Sequence, residues 1–215
     1  MKKYIVLAGN IGAGKSTLVG LLAERLGFRP YYEPVAENPY LADFYADMER
    51  WALHSQLFFL THRVRTHRTL SHDPCSVVQD RSLYEDAEVF ARNLYMQGAL
   101  SERDWATYRE LYRAVAELLP PPDLVIYLRA SVPTLKKRIA KRAREFEASI
   151  SDEYLAGLNA LYEEWIESFD LAPVLVVPGD RFDFVEESRD FKAIACTVAD
   201  RLRDKQGALF PYGMA

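Results

Sequence analysis

Cysteine is scarce in this sequence. Only Cys75 and Cys196 occur in 215 residues, which gives neither a disulfide framework nor metal-ligand spacing. Two reduced thiols in a cytoplasmic protein are the reading this supports. Long apolar runs are missing as well. None approaches the roughly 18 residues that cross a bilayer. The opening Met1-Lys2-Lys3 and the apolar Tyr4–Ala8 halt at Gly9-Asn10, too short for the core of a secretion signal and without a cleavage site. Positive charge is not in excess either. Lys and Arg number 27 against 31 Asp and Glu, a net charge of −4, which argues against nucleic acid or an anionic membrane as the partner. A guanine-reading N-K-x-D is also lacking, since none of Asn10, Asn38, Asn93 and Asn159 precedes a lysine. What remains is ordinary globular material, 49% hydrophobic and 27% charged, enough for one domain over residues 1–215.

Short apolar runs alternate with helical patterns along the chain. Strands are expected at Tyr4–Leu7, around Tyr31-Tyr32-Glu33, at Ser76–Gln79, Leu124–Leu128 and Val174–Val177. Between them, 3.6-residue periodicity predicts helices over Lys15–Leu26 (capped by Gly27), Pro39–Leu70 in two pieces, Tyr84–Met96, Ser101–Leu119, Val132 to about Arg144, Ser151 to about Phe169 and Glu186–Arg203. Pro120-Pro121-Pro122 reads as a stiff helix-to-strand connection. The alternation implies an α/β fold, a five-stranded parallel sheet flanked by helices.

The sharpest motif is Gly9-Asn10-Ile11-Gly12-Ala13-Gly14-Lys15-Ser16-Thr17, a complete G-x-x-x-x-G-K-[ST] between a strand and a helix. Glycines let backbone N–H groups wrap a phosphate at a helix N-terminus. Lys15 then reaches the β- and γ-phosphates, and the Ser16 hydroxyl suits Mg²⁺. The fold class is thus of the P-loop NTPase type, with ATP as the expected donor and a small-molecule kinase as the favoured class. A nucleotide-binding switch without turnover carries the same loop.

Ligands of open α/β sheets bind beyond the carboxyl ends of the strands. There stand Glu33-Pro34-Val35 after the second strand and Asp80-Arg81-Ser82 after the third. Asp80 beside a phosphate loop suits Mg²⁺. A phosphate acceptor would call for cations at Glu33; a carboxylate instead suits an alcohol whose proton must be taken. A helix cap or surface pair is the plain alternative for Glu33.

Gly9–Thr17, Glu33-Pro34-Val35, Glu49-Arg50-Trp51 with Gln56 and Asp80-Arg81-Ser82-x-Tyr84-x-Asp86 together resemble the deoxyribonucleoside kinases, from Ile5 to about Phe184. The resemblance implies Glu33 as general base on the 5′-hydroxyl, Arg81 near that hydroxyl and the transferred phosphate, and Asp80 as organiser of Mg²⁺, where many relatives have glutamate. It implies Tyr45 and Glu147 on the sugar 3′-hydroxyl. Gln56 would pair with the base edge, Arg63 and Asp86 would favour purines or cytosine, and Phe90 would stack on the base. Taken without the family, Phe90 reads as core and Arg63–Asp86 as a structural ion pair. The run Asn38-Pro39-Tyr40-Leu41 resembles the bacterial deoxyadenosine/deoxyguanosine kinases, where animal deoxycytidine-type relatives carry a tryptophan two residues after the Glu-Pro-Val-Ala run.

Lys136-Lys137-Arg138-x-x-Lys141-Arg142-x-Arg144 places six cations within nine residues. As bare charge this is a solvated helix face. The resemblance makes it part of a helical-hairpin lid, about residues 136–150, with Arg138, Arg142 and Arg144 on the phosphates. Asp183 and Phe184, after the fifth strand, correspond to the segment holding the donor adenine, although a turn with core aromatics fits them equally. The reading is therefore an ATP- and Mg²⁺-dependent kinase of purine deoxynucleosides in nucleotide salvage, a homodimer through Trp51–Leu70 and Tyr84–Met96. Alternatives are a deoxycytidine-preferring or broad deoxynucleoside kinase, a thymidylate kinase, or the silent switch.

Overall fold

The computed structural model describes residues 2–32, 38–144, 147 and 150–203. Five parallel strands form one sheet in the order β2-β3-β1-β4-β5. They are β1 (Tyr4–Ala8), β2 (Arg29–Tyr31), β3 (Val77–Asp80), β4 (Leu124–Arg129) and β5 (Val174–Pro178). Every residue of β1 is buried, as a strand covered by helices on both faces requires. Pairing Leu7 with Asp80 and Ala8 with Tyr127 aligns the carboxyl ends of β1, β3 and β4, so the loops that leave them meet above the sheet.

The helices are α1 (Lys15–Leu26), α2 (Leu41–Ala46), α3 (Met48–His72), α4 (Leu83–Glu85), α5 (Arg92–Met96), α6 (Glu102–Ala116), α7 (Val132–Arg142), α8 (Asp152–Ser168) and α9 (Ser188–Arg203). Gly27 closes α1 at φ +68° and donates its N–H to the Ala23 carbonyl, the left-handed cap that glycine adopts at low cost. Asp47 starts α3 by accepting from the Arg50 N–H, which splits the expected Pro39–Leu70 helix in two. Ser151 caps α8 through the Tyr154 N–H. Ala143, at φ +51°, ends α7, one residue before the expected Arg144. No helix among the described residues is long and apolar enough to cross a membrane.

Three boundaries differ from expectation for local reasons. β2 ends at Tyr31 and contains Pro30, which an edge strand tolerates because its N–H need not join the ladder. The last helix begins at Ser188 because Asp183 first accepts the N–H groups of Val185 and Glu186 and closes a separate turn. The expected helix Tyr84–Met96 changes pitch: Asp86–Ala91 forms a π-helical turn between α4 and α5. Such turns re-aim side chains and concentrate at functional sites; this one carries Asp86 and Phe90.

Candidate active site

A cleft of about 760 Å³ runs across the carboxyl ends of the strands. Its floor is the phosphate loop. The Lys15 ammonium lies back against that loop, donating to the carbonyls of Gly9 (2.7 Å) and Asn10 (3.1 Å). Gly12, at φ +83°, is necessary for close packing: a Cβ there would come within 2.8 Å of Ile139 and 2.9 Å of the Leu135 carbonyl. Asn10 does not face the cleft. Its amide donates to the Leu155 carbonyl and to Asn159 Oδ1, and its Oδ1 accepts the Ile11 N–H, so it latches the loop to α8. Ala13 is buried under the loop, whereas Ile11, Gly14, Ser16 and Thr17 line the cleft.

Ser16 Oγ donates to Asp80 Oδ2 at 2.5 Å. Asp80 is buried, and its Oδ1 has no hydrogen-bond partner among the described residues. A hydroxyl beside an orphaned carboxylate oxygen is an oxygen-only donor set, which fits Mg²⁺. Next to Asp80, Arg81 takes φ +62°, a strained conformation for a side chain of this size. It is held from two sides. Its N–H bonds the Leu7 carbonyl, and its guanidinium lies 4.1 Å from the centre of the Phe90 ring. The arginine is thereby aimed over the floor.

The other end of the cleft is less polar. Leu41, Phe44, Tyr45, Phe59 and Phe90 line it together with Gln56 and Asp86. Gln56 is buried on α3, yet its Oε1 accepts no hydrogen bond among the described residues. A buried unsatisfied amide oxygen is costly, and this one belongs to a residue that lines the cleft. Arg63, seven residues along α3, does not line the cleft. It stands behind Asp86, with Nε 2.9 Å from Oδ2 and both side chains almost wholly buried.

The basic side is α7 together with the segment that leaves its C-terminal end. Arg138 donates to the carbonyls of Ala13 (2.9 Å) and Gly179 (2.8 Å), which clamps the phosphate loop to the turn after β5. Arg142 reaches Glu147 through Nε at 3.1 Å and Nη2 at 2.5 Å, and Arg144 reaches the same carboxylate at 3.4 Å. Glu147 thus sits between the two arginines. Asp183 and Phe184 both line the cleft. The backbone N–H of Glu186, first among several contacts, holds the Asp183 carboxyl below its usual range.

Glu33, the expected base, lies outside the described residues. Every other expected site residue lines the cleft except Gly9, Asn10, Ala13 and Arg63, which support it from behind. Two lining or supporting groups escaped the sequence reading. Tyr154 on α8 lines the cleft, and burial raises its hydroxyl to about 12; no motif announced it. Glu85 is buried beneath the loop, and Ser82-x-x-Glu85 is the capping-box spacing that flags such a glutamate.

A sequence profile described as Deoxynucleoside kinase matches residues 5–203. The deoxyadenosine/deoxycytidine kinase of Bacillus subtilis is 38% identical over 204 residues, 94% of each chain. A deoxyguanosine kinase of Lactobacillus acidophilus is also 38% identical, covering 93% of this chain and 91% of its own. Among solved structures, the deoxyadenosine kinase from M. mycoides with bound dATP superposes with a TM-score of 0.80 at 31% identity, covering 92% of this chain and 99% of that one. With cleft, phosphate loop and full-length relatives in agreement, the chain belongs to the deoxynucleoside kinase family.

Proposed function

We propose that this protein transfers the γ-phosphoryl of ATP to the 5′-hydroxyl of a purine deoxynucleoside, dA or dG, in nucleotide salvage. The observation that carries the base assignment is Gln56: a buried amide, at the apolar end of the cleft, whose oxygen has no donor among the described residues. An amide offers an acceptor and two donors, and so pairs with a base edge that sets an amino group beside a ring nitrogen, as adenine and cytosine do; the choice of a purine rests on the Asn38-Pro39-Tyr40-Leu41 run. The relatives named for deoxyadenosine and deoxyguanosine support the same choice.

The nucleoside would lie with its base between Phe90 and Gln56, and Asp86, braced by Arg63, would present a carboxylate to it. Tyr45 and Glu147 would hold the 3′-hydroxyl, which leaves the 5′-hydroxyl toward Arg81. Glu33 takes its proton as the new bond forms. Loop N–H groups and Lys15 cradle the donor phosphates, while Arg142 and Arg144 close from the other side. Ser16 and Asp80 would hold Mg²⁺, which when bound neutralises charge on the β- and γ-oxygens. Asp183 and Phe184 would contact the donor adenine, and closure over the phosphates excludes competing water.

Residues 1–215 would act as a single domain, with the lid over about 136–150. A cytoplasmic setting is supported by Cys75 and Cys196, both exposed and unbridged. We place a homodimer contact on α3 and α6, where Leu111 is exposed beside Val64 and Val115; the stretch Tyr84–Leu94 is mostly buried within the fold instead. The partners are small molecules, with no nucleic acid or membrane.

The test is transfer from Mg-ATP to dA, dG, dC, dT and dTMP, each alone. Transfer to dA or dG with little to dT supports the proposal. A clear preference for dC overturns the purine assignment, and activity only on dTMP overturns the alcohol acceptor. Glu33→Gln should keep ATP binding while transfer falls about a thousandfold or more.

A further inference from the structure

Glu85 is wholly buried between the phosphate loop and α8. Its Oε1 accepts the Gly9 N–H at 3.2 Å and lies 2.7 Å from the Tyr162 hydroxyl. Its Oε2 accepts the Ser82 N–H at 3.2 Å. Tyr162 makes a second contact, 2.8 Å to the Gly9 carbonyl oxygen. A full hydrogen bond on each of those two oxygen–oxygen contacts takes two hydrogens. The carbonyl carries none and the phenol carries one. If Tyr162 donates to the carbonyl, the hydrogen on the other contact comes from Glu85. An ionised Glu85 would draw the phenol hydrogen to itself and leave two oxygen lone pairs facing each other at 2.8 Å.

We propose that Glu85 is a positioning residue of the phosphate loop that works as a neutral acid, donating to Tyr162, which donates to the Gly9 carbonyl. Glu85 and Tyr162 then grip both the N–H and the carbonyl of the residue that opens the loop. The proposal goes beyond the kinase assignment and rests on it only in taking ATP as the loop's ligand.

The groups facing Glu85 are Lys15 from α1, Arg81 from the turn after β3, Tyr162 from α8 and, from β1, Tyr4. Burial, which penalises the anion, outweighs the Arg81 guanidinium (Nε 3.8 Å from Oε1), the Lys15 cation and the Tyr162 and Gly9 hydrogen bonds, and the carboxyl is pushed up to about 7. Triphosphate in the loop would draw Lys15 away from the Gly9 and Asn10 carbonyls and bring several negative charges near Glu85. Both changes favour the neutral acid. Donor binding above pH 7 should then take up a proton from solvent, and donor affinity should fall as pH rises.

The test uses the whole chain and needs no acceptor. Infrared spectra should show a protonated carboxyl band at pH 6 that is missing in Glu85→Gln and shrinks in the wild type toward pH 8.5. Calorimetry with a Mg-bound non-hydrolysable ATP analogue, in buffers of different ionisation enthalpy, should show extra proton uptake by the wild type at pH 7.5. Its affinity should drop about tenfold between pH 6.5 and 8.5, against about twofold or less for Glu85→Gln. The glutamine keeps an N–H donor for Tyr162. If it does not fold, Tyr162→Phe serves: it should lower the affinity at pH 6.5 and shift the carboxyl band. Absence of that band from the wild type, or the same affinity-against-pH curve in both proteins, overturns the proposal. Because no nucleoside takes part, failure here is distinct from failure of the transfer assay.

Discussion

The two walls of the cleft hold their charges differently. On the floor, Lys15 and Asp80 are buried and engaged with the Gly9 and Asn10 carbonyls and the Ser16 hydroxyl. On the α7 side, Arg142 and Arg144 are about a third or more exposed and share a single buried carboxylate, Glu147. The floor backbone is preorganised, and only the Lys15 side chain has to turn from the Gly9 and Asn10 carbonyls to meet a triphosphate. Arg142 and Arg144 are held by a carboxylate partner, which in the proposed reaction a phosphate replaces. Floor changes should therefore cost turnover, whereas lid changes should redistribute affinities.

The largest effect tests the floor. Lys15→Ala removes the cation proposed to reach the β,γ-phosphates, and kcat should fall about a thousandfold, roughly 4 kcal/mol of transition-state stabilisation. Circular dichroism should show an unchanged fold. A loss of less than about tenfold would mean that the lid, not the floor, carries the charge stabilisation.

The next effect is on stability. Folding raises the Glu85 carboxyl to about 7, so between its unfolded value and pH 7 the folded chain binds a proton that the unfolded chain does not. Stability from this group is lost as pH rises through that window, up to about 3 kcal/mol once above it. Glu85→Gln has no such proton. Its melting temperature should gain on the wild type steadily from pH 5 to pH 8, and parallel curves would place the titrating group elsewhere.

How legible this was in the sequence obeys the same division. The floor is built from consecutive residues, so Gly9–Thr17 announced it, and Asp80-Arg81 was visible as an apolar strand ending in charge. Local periodicity likewise placed all five strands within two residues. What stayed hidden depends on three-dimensional contact. Arg138, expected on the phosphates, lines the cleft and also donates to the Ala13 and Gly179 carbonyls, a partnership no spacing encodes. Asn10, inside the motif, turns to Asn159 on α8. The π-helical turn at Asp86–Ala91 has no signature in a pattern of apolar residues, yet it sets where Asp86 and Phe90 point.

The nucleoside end offers a middle-sized test. Gln56→Leu keeps the volume near constant and removes the amide. The KM for the preferred deoxynucleoside should rise about 10- to 100-fold, and discrimination among bases should shrink, because the lost pair is worth roughly 1–3 kcal/mol. ATP affinity should not change. Unaltered base preference would move base reading to Asp86 and Arg63.

The smallest effect separates the two walls most directly. Glu147 is nearly buried and accepts from both lid arginines, and it is also the candidate partner of the sugar 3′-hydroxyl. Glu147→Gln keeps its shape but weakens its hold on two cations. If those arginines wait on Glu147 until phosphate arrives, freeing them should lower the KM for ATP about two- to fivefold, since less ion pairing has to be broken. The same change weakens a charge-assisted bond to the 3′-hydroxyl, so the KM for the nucleoside should rise by a similar factor. Opposite signs from one substitution are hard to produce by general damage, which raises both constants. If both rise together, Glu147 is a structural anchor of the hairpin and the lid is as fixed as the floor. If only the nucleoside constant moves, Arg142 and Arg144 reach phosphate without first leaving Glu147.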